Sequence, residues 1–339
     1  MNRSYLQQLV SRIHPETFED TALQIFRFQA AHNSIYAQYL RHLHIRPESI
    51  TSLNQIPFLP IGFFKQHKII TQSPDIQAVF ESSGTTGSQN SRHYVADLDW
   101  YNNISIQLFE QQYGLLSNFH VLALLPSYLE RNNSSLVYMV QQFIKKTDST
   151  QSNFFLNATD ALLATLQRIA QNPDGRAVLL WGVTFALLDW AESRQDLSFL
   201  RNIPNLKIME TGGMKGRRRE WLRQEVHQSL TAAFGVSAIH SEYGMTELLS
   251  QAYSTGNGVF DTSPTLRILL RDLHDPFAVH DQPNTLRYGG VNVVDLANID
   301  SCAFVETQDL GRFVGDSQHF EIIGRFDNSD IRGCNLLIS

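Results

Sequence analysis

The chain has 339 residues, 42% hydrophobic and 18% charged, enough to build a large core and more than one small domain needs. Lys+Arg number 27 against Asp+Glu 33, and the formal net charge of -6 argues against a general binder of nucleic acid or of anionic membrane surfaces. Two cysteines, Cys302 and Cys334, give neither a disulfide framework nor a metal-ligand spacing, a usage that suits a reducing cytoplasm.

In chain order, the start Met1-Asn2-Arg3-Ser4 turns amphipathic rather than reading as a signal peptide, and no stretch approaches the roughly 20 apolar residues of a membrane span. Residues 1–54 read as a helical segment, with Leu23, Phe26 and Ala30 on one face and Tyr36, Leu40 and Leu43 on another. Pro15 fits a helix start, and Pro47 follows a helix end. Residues 55–258 then alternate. Gln77 to Phe80, Val121 to Leu125, Ala177 to Trp181, Lys207 to Met209 and Ser237 to Ile239 are predicted strands. Asp99 to Gln112, Ser134 to Lys145, Thr159 to Gln171 and Arg217 to Phe234 are predicted helices. Such alternation predicts an α/β body with a mostly parallel sheet. Residues 259–339 read as a β-rich subdomain, with strands expected at Thr265 to Leu270, Val291 to Val294, Ala303 to Glu306 and Phe320 to Ile323.

Chemistry concentrates in a few segments. Glu81-Ser82-Ser83-Gly84-Thr85-Thr86-Gly87-Ser88 follows a predicted strand. Its hydroxyls and glycine-freed amides suit the wrapping of phosphate oxygens; a flexible surface loop has the same composition. No Gly-Lys-Ser/Thr closes it, so it is not a Walker P-loop. Glu210-Thr211-Gly212-Gly213 ends a predicted strand, where paired glycines let a flat ligand approach the backbone. Arg217, Arg218 and Arg219 then open the predicted helix, most simply as a solvated basic face. His240-Ser241-Glu242-Tyr243-Gly244-Met245-Thr246-Glu247 is expected to leave a strand for a helix. Thr246 can meet a phosphate, Glu247 can hold Mg²⁺ and Tyr243 can lie against a base; an early acid at a helix start is the plainer alternative. Asp309 after a strand can accept ribose hydroxyls, and Arg325 can meet phosphate or ribose; both also fit ordinary turns. Cys302 reads as core, and the histidines have no zinc spacing.

The order of these segments closely resembles the adenylate-forming superfamily over about residues 55 to 333. Within it the chain looks most like the acyl-protein synthetases of bacterial bioluminescence, then like phenylacetate-CoA ligases. Phe58-Leu59-Pro60-Ile61-Gly62-Phe63-Phe64-Lys65 and Ser329-Asp330-Ile331-Arg332-Gly333-Cys334 resemble that branch too. The resemblance implies the N-terminal domain of an adenylate-forming ligase, with sheets flanked by helices and a small β-rich subdomain. It implies ATP, with Mg²⁺ at Glu247, and AMP as product. Ser82, Ser83, Gly84, Thr85, Thr86, Gly87 and Ser88 would hold the phosphates. Gly212 and Gly213 would flank adenine, Tyr243 and Gly244 would line it, and Thr246 would reach the phosphate. Asp309 would bind the ribose and Arg325 the ribose or phosphate. Leu125-Pro126-Ser127-Tyr128 sits where the superfamily builds its acyl pocket.

Two departures stand out. Gln89-Asn90-Ser91 replaces the usual Pro-Lys ending of the phosphate loop. The sequence also stops where larger ligases have a hinge to a lid bearing a catalytic lysine, so a lidless ligase is expected, with Lys65, Lys215 or a partner substituting. In the family, the acyl group passes to a cysteine near the chain end and then to a reductase. Cys334 is therefore the candidate acyl acceptor, with Arg332 favouring its thiolate; a plain free thiol is the alternative. The expected activity is ATP-dependent activation of a carboxylic acid, pointing to a fatty acid, with transfer to a protein thiol. The expected partners are that acid and an acyl-accepting reductase or carrier protein. Acyl-CoA or aryl-CoA ligation, and a non-catalytic nucleotide-binding scaffold, are the competing readings.

Overall fold

The apolar spacing of the N-terminal segment yields helices α1 (Arg3–Ser11), α2 (Phe18–His32) and α3 (Ser34–His42) in a computed structural model that describes residues 2–82, 89–125, 133–155, 160–193, 195–212 and 221–326. Pro15 and Pro47 each begin a single 3₁₀ turn, where a missing N–H costs nothing. Asn33 makes the corner between α2 and α3. It leaves helical geometry, and its side chain accepts from the Tyr36 amide at 3.0 Å, a cap contributing about 1 kcal/mol. Strand β1 (Leu59–Pro60) and helix α4 (Phe63–Gln66) follow.

The alternating region begins with a hairpin, β2 (Ala78–Glu81) and β3 (Arg92–Val95), and α5 (Leu98–Tyr113), capped by Asp97. It continues through β4 (Phe119–Leu124), α6 (Ser135–Thr147), β5 (Asn153–Phe155), α7 (Asp160–Gln171), β6 (Ala177–Val183), α8 (Thr184–Ala191), β7 (Lys207–Thr211), α9 (Arg223–Phe234), β8 (Ile239–Tyr243), β9 (Ala252–Ser254) and β10 (Val259–Phe260). The chain closes with β11 (Leu266–Arg271), β12 (Val279–His280), β13 (Gly289–Asp295), β14 (Phe304–Phe313) and β15 (Phe320–Arg325).

These elements form two compact units. One comprises Phe64–Lys68 and Pro74–Ser263. It holds a six-stranded sheet in the order β5-β4-β6-β7-β8-β9, parallel except for the antiparallel β9. Alternate side chains face opposite ways. Trp181 and His240 meet Phe109 and Tyr113 of α5 and Phe143 of α6. Glu210 and Ser241 meet Thr184 of α8 and Arg223 and His227 of α9. Gly182 lets α8 close on its own strand, because a Cβ there would stand 2.7 Å from Leu187.

The other unit comprises Met1–Phe63, Ile69–Ser73 and Pro264–Ser339. Its strands run β15-β14-β13-β11-β12, all antiparallel neighbours, with β1 parallel to β14. The N-terminal helices pack on this sheet. Phe26, Tyr36 and Phe58 surround the fully buried Phe304. The buried Gln29 amide donates to the Asn298 and Ile299 carbonyls at 2.9 and 3.0 Å and accepts from the Ala303 amide at 3.0 Å. Arg3 forks onto Asp300 at 2.6 and 2.8 Å. Among the described residues, no helix is long and apolar enough to cross a membrane.

Several boundaries differ from expectation. The strand predicted over Ser237 to Ile239 instead starts at Ile239 and continues to Tyr243, because pairing with β9 extends it. The helix predicted from Arg217 starts at Arg223; Leu222 is extended, and its amide donates to Glu225 Oε2 at 2.9 Å. Arg217, Arg218 and Arg219 lie outside the described residues.

Candidate active site

Parallel strands of an open α/β sheet place ligands beyond their carboxyl ends. There, β7 ends in Glu210-Thr211, followed by Gly212 at φ 79°, a left-handed conformation that favours glycine. β8 ends in Glu242-Tyr243. No helix follows. The Leu248 amide donates to the Met245 carbonyl at 3.1 Å, which centres a turn on Thr246 and Glu247, and β9 then returns antiparallel. The turn leaves Thr246 half-buried and buries Glu247.

The β2–β3 hairpin brings the base of the Ser82 loop to the same place. Ser82 closes the loop base, its amide donating to the Ser91 carbonyl at 3.0 Å and its Oγ accepting from the Ser91 amide at 2.9 Å. From β3, the buried His93 puts Nδ1 2.8 Å from the Thr246 carbonyl. A carbonyl only accepts, so Nδ1 carries the proton. The His93 ring also meets Phe64 edge-on at 6.2 Å. Sequence reasoning passed over His93; its alternation with inward residues on a short strand was the available signal. Lys65 stands half-buried on α4, beside Phe64. Ser83, Gly84, Thr85, Thr86, Gly87, Ser88, Gly213, Lys215 and Cys334, with Pro126, Ser127 and Tyr128, lie outside the described residues.

Two buried carboxyls under these strand ends have opposite character. Glu210 accepts from Thr184 Oγ at 2.7 Å, Ser241 Oγ at 2.7 Å and Arg223 Nη1 at 2.9 Å, with His227 Nε2 at 3.6 Å. Burial pushes its pKa up, but the Arg223 charge and these donors outweigh burial and bring it down to about 2. Glu242 accepts from Thr211 Oγ1 at 2.5 Å. Burial, reinforced by the charge of Glu210 and only partly opposed by Thr211, pushes Glu242 up to about 7. The Glu242 carboxyl lies over Gly244, where a Cβ would collide with Oε1. Tyr243 packs on Phe260 with ring centroids 5.8 Å apart.

In the other unit, Asp309 and Arg325 prove to be strand residues rather than turn residues. They face each other across β14 and β15, with Arg325 Nε 3.2 Å from Asp309 Oδ1. Cys302 is buried, and burial pushes its thiol up to about 12, so it is an inert core residue. Among the described residues, no group of three or more His, Cys, Asp or Glu side chains could hold a metal ion.

The comparisons with known proteins agree with this architecture. The AtGH3.15 acyl acid amido synthetase in complex with 2,4-DB superposes with a TM-score of 0.56 over 96% of this chain and 71% of that one, at 14% identity, a likeness of fold. No curated protein matches the chain. The family model for acyl-protein synthetase, LuxE, matches residues 10–339. That match spans nearly the whole chain, which therefore belongs to the LuxE acyl-protein synthetase family of acid-activating, adenylate-forming ligases.

Proposed function

We propose that the protein activates a fatty acid with ATP and passes the acyl group to a cysteine thiol. A carboxylate oxygen attacks the α-phosphorus of ATP, the bond to pyrophosphate breaks, and acyl-adenylate forms. A thiolate then attacks the acyl carbon, AMP leaves, and a thioester remains. The observation that carries this reading is the hydrogen bond from His93 to the Thr246 carbonyl. It ties β3, the strand that leads out of the Ser82 loop, to the Tyr243–Glu247 turn, which supports a reading in which both segments serve one nucleotide.

In this reading, Ser82, Ser83, Gly84, Thr85, Thr86, Gly87 and Ser88 hold the phosphates. Gly212, Gly213, Tyr243 and Gly244 enclose the adenine, and Thr246 meets the α-phosphate. Asp309 accepts the ribose hydroxyls, and Arg325 meets the ribose or the phosphate. Glu247 offers one carboxylate, which suits Mg²⁺ held mainly by substrate phosphates; when bound, that ion neutralises phosphate charge. Cys334 is the acyl acceptor.

Intact-protein mass after incubation with ATP, Mg²⁺ and a mixed set of carboxylic acids tests the scheme. A hydroxylamine-labile acyl adduct is expected on the wild type and not on Cys334→Ser. An adduct on both proteins would remove Cys334 from its role, and acyl-CoA formed on adding CoA would make CoA the acceptor. No acid-dependent exchange of pyrophosphate into ATP, across short, aromatic and long acids, would overturn the activation step.

A further inference from the structure

Arg223 opens α9, where a cation opposes the helix dipole. Its placement therefore needs a reason, and the structure supplies three. Its Nη1 donates to the buried Glu210 at 2.9 Å. Its stem crosses Gly258, a left-handed residue (φ 69°) where any Cβ would collide with the arginine Cδ. Its guanidinium carbon then lies 5.2 Å from the centroid of the fully buried Phe260 ring, and Phe260 packs on Tyr243 at 5.8 Å. A hydrogen-bonded carboxylate, a planar cation, a core ring and the buried Tyr243 thus form one continuous chain of contacts.

We propose that Arg223 is a positioning residue for the nucleotide, fixing the Tyr243 ring through Phe260 while Glu210 holds the guanidinium in place. The proposal rests on the reading that Tyr243 lies against adenine. A planar guanidinium can lie over a ring with its face and donate to a carboxylate with its edge, which a compact ammonium does less well, so lysine is not an equivalent here. Arg223 acts on ATP affinity and base preference, not on the reacting atoms.

The test measures ATP and GTP binding by calorimetry, and the KM and kcat of pyrophosphate exchange, for the full chain. The variants are Arg223→Lys, Phe260→Leu, and the double variant Glu210→Gln/Arg223→Met, which avoids leaving a bare carboxylate buried. The expected result is a loss of ATP affinity on the order of tenfold in the double variant and in Phe260→Leu, a narrower preference of ATP over GTP, and KM rising more than kcat falls. Arg223→Lys keeps the charge and is expected to lose affinity nonetheless. A folded double variant that binds ATP like the wild type would overturn the proposal. So would full recovery by lysine, which would make charge compensation of Glu210 the whole role. Wild-type protein that binds no ATP would instead remove the nucleotide reading beneath it.

Discussion

Gly244 has no side chain because the carboxyl of Glu242 occupies that space. Glu242 cannot simply swing away, since Thr211 holds its other oxygen at 2.5 Å. Gly244→Ala should therefore break that hydrogen bond and destabilise the fold by about 1–3 kcal/mol. Shortening the neighbour in Gly244→Ala/Glu242→Ser should recover part of the loss, whereas Gly244→Ala/Glu242→Gln, with a side chain of unchanged length, should not. Urea unfolding of these proteins, with Glu242→Ser alone beside them, closes the comparison; additive losses in the serine pair would show that the two positions do not share space.

At the level of elements, β14 and β15 bring Asp309 and Arg325 into register, residues that the sequence separates by a turn. Arg325 is 65% exposed and Asp309 12%, so their ion pair contributes less than about 1 kcal/mol. Asp309→Asn should leave the melting temperature nearly unchanged and weaken ATP roughly tenfold if Asp309 accepts the ribose hydroxyls. Equal affinity in the two proteins would exclude that contact. The same strands mark what was legible in advance. The core of each long strand and helix could be read from apolar runs, as in β4, β6 and α5, because burial fixes those residues. Strand ends could not, because β8 and β14 extend beyond their apolar runs only through pairing with β9 and β15. Helix α8 was missed because its residues are buried almost throughout, which leaves no polar stripe for a 3.6-residue period. The glycine-bearing motifs were visible, but not their supports: His93, Glu210, Arg223 and Phe260 are ordinary residue types made specific only by tertiary contact.

For the molecule as a whole, Glu210 and Glu242 impose opposite pH dependences. Glu242 sits at about 7 in the fold against an ordinary 4.5, so between those values the native state binds the extra proton. Its contribution is complete below the unfolded value and is lost as pH rises through about 7, so stability falls across that window. Glu210, brought down to about 2, contributes fully above 4.5 and loses that contribution as pH falls toward 2. Glu242→Gln should flatten the decline in stability between about pH 5 and pH 8 and leave the acid limb in place. An unchanged slope in that window, measured by chemical unfolding, would assign it to other groups.

The interleaving of the unit that joins Met1–Phe63 to Pro264–Ser339 has a consequence for the order in which the protein is made. Gln29 finds its carbonyl partners at Asn298 and Ile299, and Phe26 and Tyr36 find Phe304. At about 5–20 residues per second, a ribosome needs on the order of 15–50 s to cover that interval. Throughout it, the aromatic face of α2 and α3 has emerged and its sheet does not yet exist. The central unit, continuous over Pro74–Ser263, can collapse meanwhile. The amphipathic start of the chain is thus made first and waits longest for its native neighbours.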